Sequence, residues 1–161
     1  MPQQENITTE DGNNISQLRA TRDAALLAAQ AAIRDTTRLT RLLTILSDPA
    51  PLEQVLDRVL STLSELFSAD IVVLLDPAGS GSFSPLAALG LPEDIIQEPF
   101  SNAEGSYTSA TMKSQSPILL EEMDEDANVE KQLRDLGTKT GVWLPVIGHF
   151  STRGVLIMAR C

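Results

Sequence analysis

The closing stretch GVWLPVIGHFSTRGVLIMARC (Gly141–Cys161) decides how this chain folds. Two apolar runs flank a polar turn. In the first, Val142, Leu144 and Val146 alternate with Trp143, Pro145 and Ile147; in the second, Val155, Ile157, Ala159 and Cys161 alternate with Leu156 and Met158. Side chains of a strand point to opposite faces in turn, so both faces of this hairpin are apolar. A sheet of that kind must be covered on both sides. The expectation is an α+β fold, with a central antiparallel sheet sandwiched between helices.

The elements upstream supply the covers. Leu52, Val55, Leu56, Val59, Leu60, Leu63, Leu66 and Phe67 recur at i, i+3, i+4 and i+7, with Glu53, Asp57, Arg58 and Glu65 opposite, which is an amphipathic helix. Pro51 suits its first turn. Ile71–Leu75 is an unbroken β-branched and aliphatic run that predicts a strand covered on both faces. Residues 76–82 read as a turn, and residues 83–89 as a weaker strand in which Pro85 marks an edge or a bulge. Residues 92–100 predict a short helix, 105–115 mixed loop and helix, and 116–120 a third strand. The acidic stretch from Glu121 is expected to open a helix running to Leu136, with Gly137 ending it.

Residues 1–14 are polar and without periodicity, and read as a disordered tail. Residues 15–47 are rich in helix formers and free of Gly and Pro. Leu18, Arg22, Ala25, Ala29, Ala32, Thr36, Leu39, Leu43 and Leu46 step alternately by four and three, the spacing of a coiled-coil seam. Arg22 and Thr36 fit such a seam poorly. The dimerising positions are expected to be Leu18, Ala25, Ala29, Ala32, Leu39, Leu43 and Leu46. The plainer reading is an Ala-rich helix packed on its own domain.

Composition narrows the function. Twenty-two acidic against twelve basic residues give a net charge of −10, which repels phosphate backbones and anionic membrane surfaces. No basic cluster offsets it. The N-terminus lacks the features of a signal peptide, and AALLAAQAAI is too short to span a bilayer. The glycosylation sequons at Asn6 and Asn14 are discounted, and the protein is expected in the cytoplasm. Cys161 is the only cysteine, which excludes an intrachain disulfide and a Cys-based zinc site. His149 is the only histidine and falls in the 148–154 turn. No phosphate loop, nucleophile elbow or zincin motif occurs. Asp124-Glu125-Asp126 lacks the ligand spacing of a calcium loop, so no metal site is expected.

The order of these elements resembles the GAF domain family of small-molecule sensors. The resemblance covers residues 48–161 and is carried by ADIVVLL (69–75), SQSPILLEEMDED (114–126) and LPV…GVL in the closing hairpin. A PAS-like domain, with a similar sheet and another helix order, is the alternative. The resemblance implies that a further helix ordinarily follows the last strand and leads into an effector, so the chain is expected to be a piece of a longer protein. It also implies that helices on the exposed sheet face form a dimer interface. Members that reduce oxidised methionine use several cysteines, so that activity is not expected. Neither Cys nor His lies in residues 100–136, against a covalent bilin; haem would require an inward His149; and the Asn-Lys…Phe…Asp-Glu motif of cyclic-nucleotide members is not found.

A binding site, if present, is expected between the sheet and the helical insert of residues 92–136. Phe100, Tyr107, Met112, Met123 and Trp143 are the larger groups able to line it, chosen from the residues and not from a family motif. The same residue types also fill cores. The expected function is a non-enzymatic cytoplasmic sensor, a homodimer that passes the state of a small-molecule ligand to a C-terminal effector. The alternative is a structural dimerisation module that binds no ligand.

Overall fold

The computed structural model describes residues 8–47, 49–79, 81–101, 105–123 and 126–161. It divides into two units, Met1–Thr44 and Ile45–Cys161.

Helix α1 (Thr8–Leu46) has 39 residues and is roughly 58 Å long at 1.5 Å per residue. It starts ahead of the expected Ile15, so residues 8–14 are helix and not tail; the rest of that tail lies outside the described residues. Extending a helix costs far less than nucleating one, and the periodic segment carries the preceding turns with it. Every expected seam residue (Leu18, Ala25, Ala29, Ala32, Leu39, Leu43 and Leu46) is exposed within the chain. Thr36, Thr40 and Thr44 each donate their hydroxyl to the carbonyl four residues back, at 2.9 Å. Their polar needs are met inside the helix, so Thr36 suits an apolar seam better than its residue type suggests.

In the second unit, α2 (Leu52–Phe67) follows the expected amphipathic spacing. Val55, Leu60 and Leu63 are buried, while Glu53, Asp57, Arg58 and Glu65 are exposed. Ser68 ends it in the left-handed region with φ 51°, and the Ala69 N–H donates to the Ser64 carbonyl. The chain then enters the sheet directly.

The six strands are β1 (Ile71–Ala78), β2 (Ser82–Leu89), β3 (Phe100–Ser101), β4 (Ile118–Leu120), β5 (Thr140–Ile147) and β6 (Thr152–Arg160). They form one antiparallel sheet in the order β3-β2-β1-β6-β5-β4. Strand β1 runs on through Asp76–Ala78, which the sequence reads as turn. Leu74 pairs with Ala87 and Leu75 with Pro85, leaving Leu86 as the extra residue of a bulge. Pro85 thus sits at the expected irregularity. Beside it β3 reaches only Ser82 and Phe83, so no neighbour needs the N–H that proline lacks.

Register sorts the faces. Ile71, Val73, Leu75, Phe83, Phe100, Trp143, Val155, Ile157 and Ala159 lie on the inner face and form one core with Met123, Val129 and Leu133. The outer face carries Val72, Leu89, Met158, Val142 and Leu119 in one row, and α2 packs over its β1–β2 end. Helices of this unit therefore lie on both sides of the sheet, but on the outer face α2 covers only the β1–β2 end, and Leu119 of β4 stays exposed.

Covering the inner face is the helical insert. It comprises α3 (Glu93–Ile96), α4 (Tyr107–Ser114) and α5 (Lys131–Asp135). The expected helix from the acidic stretch to Leu136 is corrected to α5 alone. Asp126 accepts the Asn128 N–H at 2.9 Å and closes a turn. Glu130 has extended backbone (φ −56°, ψ 136°), with its side chain bonded inside the protein. Gly137, φ +71°, ends α5 as expected.

Candidate functional site

Under α4 lies a buried carboxylate. Ser106 starts that helix, its hydroxyl accepting the Ser109 N–H at 3.2 Å. Thr108 and Thr111 follow one turn apart, and both are fully buried. Glu130, 5% exposed, sits just before α5. Its Oε1 accepts from the Thr108 N–H at 2.9 Å and the Thr108 hydroxyl at 2.5 Å. Its Oε2 accepts from the Trp143 indole N–H of β5 at 3.2 Å. One side chain thus joins α4, the start of α5 and the centre of the sheet.

Further contacts hold the insert. Tyr107 N–H donates to the Asn128 carbonyl at 3.1 Å, Met123 N–H to the Lys139 carbonyl at 2.8 Å, and the Gln132 side chain to the Pro99 carbonyl at 3.2 Å. The Tyr107 ring lies 5.3 Å from that of Trp143, tilted by 46°. Its hydroxyl donates to Asp126 Oδ2 at 2.7 Å.

The five residues expected to line a site all fall in or against the inner core. Phe100, Met123 and Trp143 are fully buried in the inner core, and Tyr107 and Met112 pack on its edge, half buried. Sequence reasoning missed Thr108, Thr111, Asp126 and Glu130. Nothing marks Glu130 in NVEKQL as an inward residue; with a helix expected there, its carboxylate reads as solvated. The spacing of Thr108 and Thr111 is a usable signal only once the helix around them is known.

Elsewhere the structure offers less. His149 is exposed in the turn between β5 and β6. Asp124 and Glu125 lie outside the described residues. Among the described residues, no three His, Cys, Asp or Glu side chains gather as they would around a metal ion. On the outer face a groove of about 260 Å³ is lined by Phe67, Leu119, Val142, Met158 and Arg160, with Leu119 69% exposed.

No family model matches the sequence, and no curated protein matches it. Solved structures do. The GAF domain of a phosphoenolpyruvate-protein phosphotransferase from Coxiella burnetii aligns over 78% of this chain and 76% of its own, with TM-score 0.66 and 20% identity. The GAF domain of A. Aeolicus nlh2 aligns over 80% of each chain, with TM-score 0.66 and 13% identity. This chain has the GAF-domain fold. A type II free methionine-R-sulfoxide reductase from Thermoplasma acidophilum is also similar, over 66% of this chain and 72% of its own, with TM-score 0.55 and 13% identity. Within the GAF fold of this chain, Glu130 lies between the sheet and the insert.

The Tyr107–Asp126 bond makes a test of this edge of the insert. It holds the tyrosine pKa above its ordinary value, chiefly through the hydrogen bond to Asp126, then through burial and the nearby negative charge. It lowers the Asp126 carboxyl, first through the same bond and then through the Asn128 N–H. For Asp126 the stabilisation is present above the ordinary carboxylate range and is lost as pH falls through the lowered value. For Tyr107 it is present below the ordinary phenol value and is lost as pH rises through the raised one. Tyr107 is the only tyrosine, so ultraviolet absorbance follows it alone. Its midpoint is expected above about 10, and Asp126→Asn returns it toward that value. A midpoint that Asp126→Asn leaves unmoved contradicts the contact.

Proposed function

We propose that this chain is a regulatory sensor module, not an enzyme, with the interior between insert and sheet as its sensing site. The observation that carries this is Glu130. Among the described residues this buried carboxylate is held only by neutral donors, which is costly, and tying the insert to the sheet asks only for a neutral acceptor there. A site that must distinguish an occupied from an unoccupied state gains chemistry from it. The fold is that of GAF domains, including those of a phosphotransferase and of nlh2. The reductase among the similar structures suggests thiol chemistry, but this chain has a single cysteine, exposed Cys161 beyond the end of β6.

Output is proposed through a homodimer. The exposed seam of α1 supplies one surface, and the apolar row Leu119, Val142 and Met158 of the outer sheet face supplies another for helices of a second copy. Ligand state would bias two arrangements of that helix pair, read by a C-terminal effector. Among the described residues no helix is long and apolar enough to cross a membrane. With the acidic charge and the cysteine usage, this supports a cytoplasmic setting. A second reading, a structural dimerisation module, is favoured by one observation: Phe100, Met123 and Trp143 are fully buried in a filled core.

Native mass spectrometry separates the two. The sensor reading expects a dimer carrying a mass that denaturation releases. A bare dimer favours the structural module. A bare monomer removes the dimer.

A further inference from the structure

We propose that the site under α4 takes a small primary ammonium ion on a short apolar skeleton, with Glu130 as its counter-ion. This rests on the reading of that interior as the sensing site and names what it senses. Four observations carry it.

The first is charge. Among the described residues no Lys or Arg pairs with Glu130, although buried carboxylates are ordinarily matched by a cation. The second is spare bonding capacity. Oε1 already accepts two hydrogen bonds, whereas Oε2 accepts only the Trp143 indole N–H, at 3.2 Å, and keeps a lone pair. The third is the hydroxyl of Thr111. It is fully buried, one turn along α4 from Thr108, and among the described residues it has no hydrogen-bond partner. Buried hydroxyls rarely stay unpartnered, and an ammonium carries three donors, more than Oε2 alone can use. The fourth is the aromatic pair of Tyr107 and Trp143, whose ring faces attract organic cations.

The wider field favours the same charge. Residues 1–44 hold five acidic and five basic residues, so the whole net charge of −10 falls on the globular unit. Such a surface concentrates cations and repels anions. Half-buried Tyr107, bonded to Asp126, lies at the edge of this core. The apolar surroundings supplied by Phe100, Met112 and Met123 suit a carbon chain and not a bare inorganic ion.

The test uses n-butylammonium against 1-butanol, which has the same number of heavy atoms and no charge. Trp143 is the only tryptophan and touches Glu130, so its fluorescence reads the site directly. Saturable binding of butylammonium is expected, at least about tenfold tighter than butanol, with Glu130→Gln reducing that ratio to about one. Thr111→Val removes an unpartnered hydroxyl and so spares the fold; it is expected to weaken butylammonium about tenfold, which keeps the proposal testable if Glu130→Gln does not fold. If butanol binds as tightly as butylammonium, the ammonium proposal is overturned while the sensing interior stands. If neither ligand perturbs Trp143, both are overturned.

Discussion

Replacing Glu130 with alanine is expected to cost the protein about 3 kcal/mol of stability. The substitution strands three donors at once: the Thr108 N–H, the Thr108 hydroxyl and the Trp143 indole N–H. Each unsatisfied buried donor costs about 1–3 kcal/mol, and the relief of removing a buried charge offsets part of the sum. Glu130→Gln keeps an acceptor toward Thr108 but turns an amide NH2, which cannot accept, toward the Trp143 N–H, so its cost is expected to be about half as large. Urea unfolding followed by Trp143 fluorescence measures both. A loss below about 0.5 kcal/mol on Glu130→Ala means that this carboxylate does not tie the insert to the sheet.

Gly90→Ala is expected to have a larger effect, about 4 kcal/mol, lowering Tm by roughly 12 °C. Gly90 ends β2 with φ +78°, where an L side chain costs about 1–2 kcal/mol. A Cβ there would lie 2.0 Å from the Asp70 carbonyl oxygen and 3.1 Å from its carbon. Those are backbone atoms at the entry to β1, so no side-chain rotation relieves the clash, and the Val72–Leu89 pair must open. Gly79 is the control. A Cβ at that hairpin position meets nothing within 4 Å, so Gly79→Ala is expected to be nearly neutral. Equal melting of the two variants in calorimetry contradicts the close approach at Gly90.

The parts of the fold legible in the sequence are those set by periodic burial. Alternating apolar faces in residues 141–147 and 155–161 require a sheet covered twice; the insert covers the inner face, and α2 the β1–β2 end of the outer one. The i, i+3, i+4 pattern from Leu52 to Phe67 gives α2, with Leu60 and Leu63 inward. Pro85 marks the bulge because proline removes a ladder donor. The large residues Phe100, Met123 and Trp143 point to the inner core for the same reason of burial.

Where residue type and environment part company, the sequence misleads. A run of acidic residues before NVEKQL suggests a solvated helix start, yet Asp126 closes a turn and Glu130 is buried. Its partners come from 22 residues upstream and 13 downstream, a distance that no local pattern encodes. Thr108 and Thr111 are small polar residues that sit as readily on a surface. Helix α1 begins ahead of the expected Ile15 because composition marks where a helix is favoured, not how far it propagates.

A sensing interior requires that the insert open over Glu130 without unfolding the sheet. Hydrogen exchange of the Trp143 indole N–H tests this most directly, because that proton makes the sheet's bond to Glu130. In NMR the only tryptophan gives one indole signal to follow. The account predicts that this proton and the α4 amides exchange through a local opening, with a free energy well below that of global unfolding, while Val72 and Ile157 amides exchange only on global unfolding. Exchange of all four at the global rate would mean that the interior never opens in the folded protein, which contradicts a sensing site there.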